Sequence, residues 1–174
     1  CDYANYMSNE CDRCPFCREP VPAEDEEHEK RVIGRVKAND PAAMCFIGTK
    51  RYHEGDHDAA FEYWKNAAEL GDIRAHYELG CLYSKGEGVE KDKEKGVDHF
   101  EKAAIGGHPN ARHNLGAIEE KNGNIERAVK HYIINANLGH ERSMKALWAA
   151  YKDGYITKEE LEATLGTHKA ALDE

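Results

Sequence analysis

Long apolar runs are absent from this chain. The longest, Ala42 to Gly48, is about seven residues, far short of the ~20 that a membrane-spanning helix needs. A basic stripe is absent too: 24 lysines and arginines against 33 acidic residues leave a net charge of −9. That excludes a nucleic-acid surface, which requires clustered positive charge. There is no secretory signal, no nucleophile elbow, no glycine-rich phosphate loop between a strand and a helix, and no pair of acids tied to a pocket. The chain opens on Cys1 rather than methionine, so it is read as a fragment whose upstream targeting segment is not visible. Cysteines are few, six in 174 residues, and four of them fall within the first 17. A disulfide framework would spread them through a small secreted domain, so the clustering points to metal in a reducing compartment, cytoplasmic or nuclear.

What the sequence does contain is a repeat. Ala43-Met44-Cys45-Phe46-Ile47-Gly48, Ala75-His76-Tyr77-Glu78-Leu79-Gly80 and Ala111-Arg112-His113-Asn114-Leu115-Gly116 echo one another, their glycines 32 and then 36 residues apart. A second set ends at Gly71, Gly107 and Gly139, spaced 36 and then 32. Periodicity of this length marks a solenoid, and a solenoid is usually a protein-binding surface.

The period splits into helix pairs. The spacing predicts helices over 41–53 and 57–70, 73–84 and 92–105, and 109–121 and 124–138. Only the second pair carries a long connection, Lys85 to Asp92, and its four extra residues account for the alternation of 32 and 36. Asp40 followed by Pro41 reads as an N-cap with proline in the first turn. Glycine inside a helix costs about 1 kcal/mol relative to alanine, so Gly48, Gly80 and Gly116 require a compensating close approach by the partner helix. Trp64, Phe100 and Tyr132 are placed to fill that seam, and Gly71, Gly107 and Gly139 to end the second helices. A lead-in helix occupies residues 21–39, with Val32, Ile33 and Val36 as its apolar stripe. Repeat units fall at 40–72, 73–108 and 109–140. A degenerate fourth begins after them, where Ser143 replaces the alanine and Trp148 the glycine, and runs to 152. Residues 153–174 hold a capping helix, opened by Thr157 and Glu160 as a capping box.

The second unit, from Ala75-His76-Tyr77-Glu78-Leu79-Gly80 through Gly86-Glu87-Gly88-Val89-Glu90-Lys91-Asp92, resembles the Sel1-like repeat. The steadier tetratricopeptide repeat is the other helix-pair class with this design. The resemblance covers about residues 40 to 152 and implies an all-α, antiparallel helix-pair solenoid. It also implies a scaffold or adaptor that binds other proteins through its first helices, on which Arg74, Tyr77, Asn110 and His113 are expected to be exposed and to contact a partner.

Cys14-Pro15-Phe16-Cys17-Arg18 is the sharpest chemical motif. Two thiolates two residues apart can hold a zinc ion across a proline-fixed turn, although a tetrahedral site needs four ligands. A redox pair lacks the βαβ context it would need; unligated thiols remain an alternative. The segment resembles the carboxy-terminal end of a RING-type zinc finger, over residues 1 to 20. That resemblance implies zinc as cofactor, with Cys1 a ligand of one site and Cys14 and Cys17 ligands of the other. It implies contacts of Pro15 and Arg18 with a ubiquitin-conjugating enzyme and its ubiquitin. It also implies an alternative function for the whole protein, a RING-type E3 ubiquitin ligase whose repeats recruit substrate. Asn5 stands where many active ligases of that class carry tryptophan, and Cys11 has no counterpart there.

Other signals fade on inspection. Asp153-Gly154-Tyr155 imitates half of a calcium loop, but Ala149 and Tyr151 fall where carboxylates are required. The ten histidines show no paired-ligand spacing and are assigned turn and surface roles. Cys45 and Cys81 are expected to pack as small apolar residues. No catalytic residue is expected in the repeats.

Overall fold

The computed structural model describes residues 24–173, with side chains from residue 30. Nine helices follow one another among the described residues: α1 (Glu24–Lys37), α2 (Pro41–His53), α3 (His57–Glu69), α4 (Ile73–Lys85), α5 (Lys93–Ile105), α6 (Pro109–Lys121), α7 (Ile125–Ala136), α8 (Glu141–Lys152) and α9 (Lys158–Leu172). Each end lies close to its sequence-based expectation. The described chain is an all-α helical repeat solenoid without strands. The cysteine-rich segment expected at residues 1–20 lies outside the described residues.

Three antiparallel pairs, α2/α3, α4/α5 and α6/α7, repeat one packing rule. Counted from each N-cap, the eighth residue of the first helix is glycine (Asp40 to Gly48, Asp72 to Gly80, His108 to Gly116). The eighth residue of the second helix is aromatic (Asp56 to Trp64, Asp92 to Phe100, Asn124 to Tyr132). The ring occupies the space that a side chain at the glycine position would need. A Cβ added at Gly48 would stand 2.7 Å from Trp64, one at Gly80 2.6 Å from Phe100, and one at Gly116 2.5 Å from Tyr132. Where the ring carries a polar group, that group is satisfied. Trp64 Nε1 donates to the Cys45 carbonyl at 3.2 Å, and the Tyr132 hydroxyl donates to Glu120 at 2.8 Å.

Each second helix ends at a glycine in the left-handed region, with φ of 88° at Gly71, 91° at Gly107 and 82° at Gly139. A side chain is strained there, and the residue turns the chain into the next first helix. The core is consequently a series of local clusters and not one central mass. Trp64 joins Cys45, Leu79 and Leu82; Phe100 joins Ala111 and Leu115; Tyr132 joins Met144, Leu147 and Leu161. Upstream, Val32 of α1 packs with Ala43 and Ile47 of α2.

The long loop of the second pair reaches back to the first. A Cβ at Gly88 would stand 2.8 Å from the His57 backbone, so the loop lies directly on the start of α3. The Tyr52 hydroxyl donates to Glu87 at 2.8 Å, and Lys85 Nζ donates to that hydroxyl oxygen at 3.2 Å. The four extra residues thus tie one hairpin to the next.

The fourth unit reverses the rule. Trp148 holds the glycine position, eight residues past His140, and Leu165 the ring position, eight past Thr157. Trp148 remains 43% exposed, because a large side chain on the first helix keeps the second at a distance. Helix α9 divides its packing between α8 and α7. His168, buried, donates from Nδ1 to the Ala136 carbonyl at 2.8 Å, and the Thr167 hydroxyl bonds Asn137. The capping box at Thr157 and Glu160 is formed at both hydrogen bonds, 3.2 Å and 2.8 Å.

Some helical glycines lie beneath a ring, Gly96 lies against Ser84 of α4, and others, such as Gly166, face open space. Gly80→Ala should lower stability by about 1 to 3 kcal/mol through overpacking, and Phe100→Leu in the same chain should recover part of that loss. Gly166→Ala should instead raise stability by about 0.5 to 1 kcal/mol through helix propensity. Urea unfolding of the four proteins checks both signs.

Candidate interaction surface

A concavity lies where α3 and α5 flank α4. It is a groove of about 530 Å³, lined by Phe61, Lys65, Ala68 and Glu69 of α3, by His76, Leu79 and Tyr83 of α4, and by His99 and Lys102 of α5. Leu79 and Ala68 belong to the buried core, so the floor is fixed by the same packing that closes the helix pairs. The volume falls within the range of small-ligand and peptide-anchor sites.

Two histidines form its polar centre. His76 Nδ1 and His99 Nδ1 are 3.0 Å apart, a distance at which one nitrogen carries the proton and the other accepts it. Burial, then the neighbouring His76 and Lys102, hold the His99 imidazole down to about 4. Burial lowers His76 as well. Both rings are therefore neutral at physiological pH. Tyr83 stacks on His99 at 5.6 Å, and Phe61 meets Tyr83 edge-on at 5.9 Å. Exposed charges rim the groove: Lys65 and Glu69 on one wall, and Lys102, paired to Asp98 at 2.7 Å, on the other. The arrangement offers an aromatic floor, a neutral hydrogen-bonding pair and two lysines, and it contains no activated nucleophile. Burial and the nearby Asp72 push the Cys45 thiol up to about 12, and burial raises Cys81.

The histidine pair is not repeated in the next unit. His76 and His99 have Arg112 and His131 as counterparts in the next pair, each four or seven residues past its N-cap. There Arg112 instead donates to the Ala104 carbonyl at 2.9 Å.

The first-helix residues expected to face a partner are placed differently from one another. Arg74 is exposed. Tyr77, Asn110 and His113 are half-buried at the junctions between units, which corrects the expectation that they are exposed. The Tyr77 ring stacks on His108 at 4.3 Å; Asn110 Oδ1 meets His140 Nε2 at 3.2 Å; His113 Nδ1 lies 3.1 Å from the Ser143 hydroxyl. Their polar and aromatic groups are turned toward the following unit. The turn-and-surface reading of the histidines is corrected as well. His76, His99, His108, His113, His131 and His140 are half-buried and His168 is buried, because they occupy the seams where helices meet. Cys1, Cys14, Pro15, Cys17 and Arg18 lie outside the described residues. Among the described residues no group of three or more metal-ligating side chains exists, and no helix is long and apolar enough to cross a membrane.

Comparison with known proteins bears on the same stretch. A sequence profile described as Sel1 repeat matches residues 41–72, 73–108 and 109–140. A solved Sel1 repeat protein from Oxalobacter formigenes superposes with a TM-score of 0.63 at 30% identity, over 71% of this chain and 98% of that one. A protective antigen of uropathogenic Escherichia coli, described as displaying an SLR fold, superposes with a TM-score of 0.68 at 27% identity, over 81% of this chain and 32% of that one. The ERAD-associated E3 ubiquitin-protein ligase component HRD3B of Arabidopsis thaliana is 35% identical over 114 residues, 62% of this chain and 18% of that protein. The chain spans between 10% and 21% of the length of seven curated relatives that it matches.

Proposed function

The chain belongs to the Sel1 repeat family, and from that premise we propose that it works as an adaptor that holds another protein against the face formed by α3, α4 and α5. The observation that carries this reading is the groove around His76 and His99, a histidine pair that the next unit does not repeat. Repeated residues account for stacking. Unrepeated ones are where selectivity between partners can reside.

The lining fits a partner segment that presents one apolar or aromatic side chain to Phe61, Leu79 and Tyr83 and a carboxylate to Lys65 or Lys102. Neutral histidines supply one hydrogen-bond donor and one acceptor without adding charge. Arg74, exposed at the start of α4, stands on the other side of that helix from the groove, while Tyr77, Asn110 and His113 act through the shape of the junctions.

A second reading is favoured by the Cys14-Pro15-Phe16-Cys17-Arg18 motif and by the likeness to HRD3B, a protein named as a ligase component. On this reading Cys1, Cys14 and Cys17 hold zinc with further ligands, Pro15 and Arg18 meet a ubiquitin-conjugating enzyme and its ubiquitin, and the repeats recruit substrate. Cys45 does not fit as a source of the missing ligands, since it is 2% exposed and its thiol is pushed up to about 12. Zinc would supply a structural clamp for that segment alone.

Two experiments separate these readings. Partners captured by cross-linking should map to the groove, and Lys65→Glu with Lys102→Glu should weaken their capture about tenfold or more, as loss of a central contact does. Lys145→Glu, on α8, should leave it unchanged; equal loss in both variants contradicts the assignment. For the zinc reading, metal analysis of the protein should show zinc that Cys14→Ser with Cys17→Ser removes. Arg18→Ala in the full-length protein should abolish autoubiquitination with the repeats still folded. Unchanged zinc content or surviving ligase activity contradicts that reading.

A further inference from the structure

The first helices are capped by two different chemistries. Asp40 and Asp72 cap α2 and α4, whereas His108 and His140 occupy the same position before α6 and α8. In the aspartate caps a carboxylate oxygen accepts from the helix: Asp40 from the Ala42 and Ala43 amides at 3.0 Å and 3.3 Å, and Asp72 from the Ala75 amide at 2.7 Å. In the histidine caps a bare ring nitrogen does this. His108 Nδ1 accepts from the Ala111 amide at 3.3 Å, and His140 Nδ1 from the Ser143 amide at 3.2 Å.

A ring nitrogen can accept only while it has no proton. The tautomer of His140 is fixed accordingly: Nδ1 is bare, and Nε2 carries the hydrogen and donates to Asn110 Oδ1 at 3.2 Å. The same Nδ1 lies 3.0 Å from the Ser143 hydroxyl, which also receives Asn135 Nδ2 at 2.9 Å and faces His113 Nδ1 at 3.1 Å. Asn135 and Ser143 are fully buried, and Asn135 also donates to the Pro109 carbonyl at 2.9 Å. One protonation at His140 therefore places an N–H against an N–H and disturbs a buried network that joins α6, α7 and α8. The charge would also sit at the positive end of a helix, where a cation is unfavourable.

We propose that His108 and His140 are acid-sensitive helix caps, whose protonation in mild acid frees the first turns of α6 and α8, whereas the aspartate caps of α2 and α4 stay in place.

The surroundings of both rings support the direction. Burial lowers His108, with Arg74 acting in the same sense and Asp72 opposing; the Tyr77 ring covers its face at 4.3 Å. Burial lowers His140, with Arg142 and His168 in the same sense, and His113 lies 5.4 Å away. His113 is itself lowered by burial, Arg142 and His140, against Glu120. A folded value below the unfolded 6.5 means that the stabilisation is complete above 6.5 and is lost as pH falls below it. A carboxylate cap stays ionised across that range.

Amide hydrogen exchange of the full chain at about pH 7.5 and about pH 5, corrected for intrinsic rates, tests this. Protection of the Ala111 and Ser143 amides, which the two rings cap, should fall about fivefold or more between these pH values, the fold-change of one lost cap. His108→Asp with His140→Asp, which installs the cap of the earlier units, should remove the difference. His108→Asn with His140→Asn, a cap that cannot titrate, should do the same and serves if the aspartate pair fails to fold. Unchanged protection of these two amides in the wild type overturns the proposal, as does an acid response there that survives in the folded cap variants.

Discussion

The close approach of a ring to a glycine is the contact on which this array depends. Trp64 on Gly48, Phe100 on Gly80 and Tyr132 on Gly116 set how near two antiparallel helices come, and a Cβ at any of the three positions would fall within 2.7 Å of the ring. Helix separation then fixes where the neighbouring side chains meet. The Cys45 carbonyl is positioned to receive the Trp64 indole, and Leu79 is positioned as the floor of the groove. Because each contact is local, the units stack as nearest neighbours, and each junction can differ without disturbing the next.

Those differences are where the proposed function is placed. Between the first and second pairs the long loop folds back onto Tyr52 and His57. Across α3, α4 and α5 the histidine pair sits in an aromatic groove. Between the third pair and the fourth unit a buried polar network gathers around Ser143, at the position where earlier units carry alanine. Asn135 Oδ1 in this network is buried without a hydrogen-bond partner, so the remaining bonds of Asn135, Ser143 and His140 carry the junction's polar cost.

The lattice was legible in the sequence because its elements recur at fixed distances and each has a steric reason. Gly48, Gly80 and Gly116 were readable as close-approach positions, and Trp64, Phe100 and Tyr132 as the rings that fill them. The candidate groove was not legible. His76 and His99 are 23 residues apart on different helices, and no motif links them; aligning the units would have shown only that the lattice changes at these positions. The cap position could be read at Asp40, where proline follows an acid. His108 and His140 were overlooked because imidazole is an uncommon cap and reveals its role only once Nδ1 is seen to accept an amide hydrogen. Trp148 was visible as a departure, but the consequence, a last helix shared between α8 and α7, depends on packing that periodicity does not encode.

The inverted fourth unit offers the most direct test of the governing contact. The structure of the Trp148→Gly, Leu165→Phe double variant would restore glycine on the first helix and a ring on the second. If ring-on-glycine contact sets helix separation, α8 and α9 should close into the pairing of α6 and α7, with the new ring seated over the new glycine and α9 withdrawn from Ala136 and Asn137. If α9 keeps its present position against α7, the contact follows from the pairing and does not set it, and the account is contradicted.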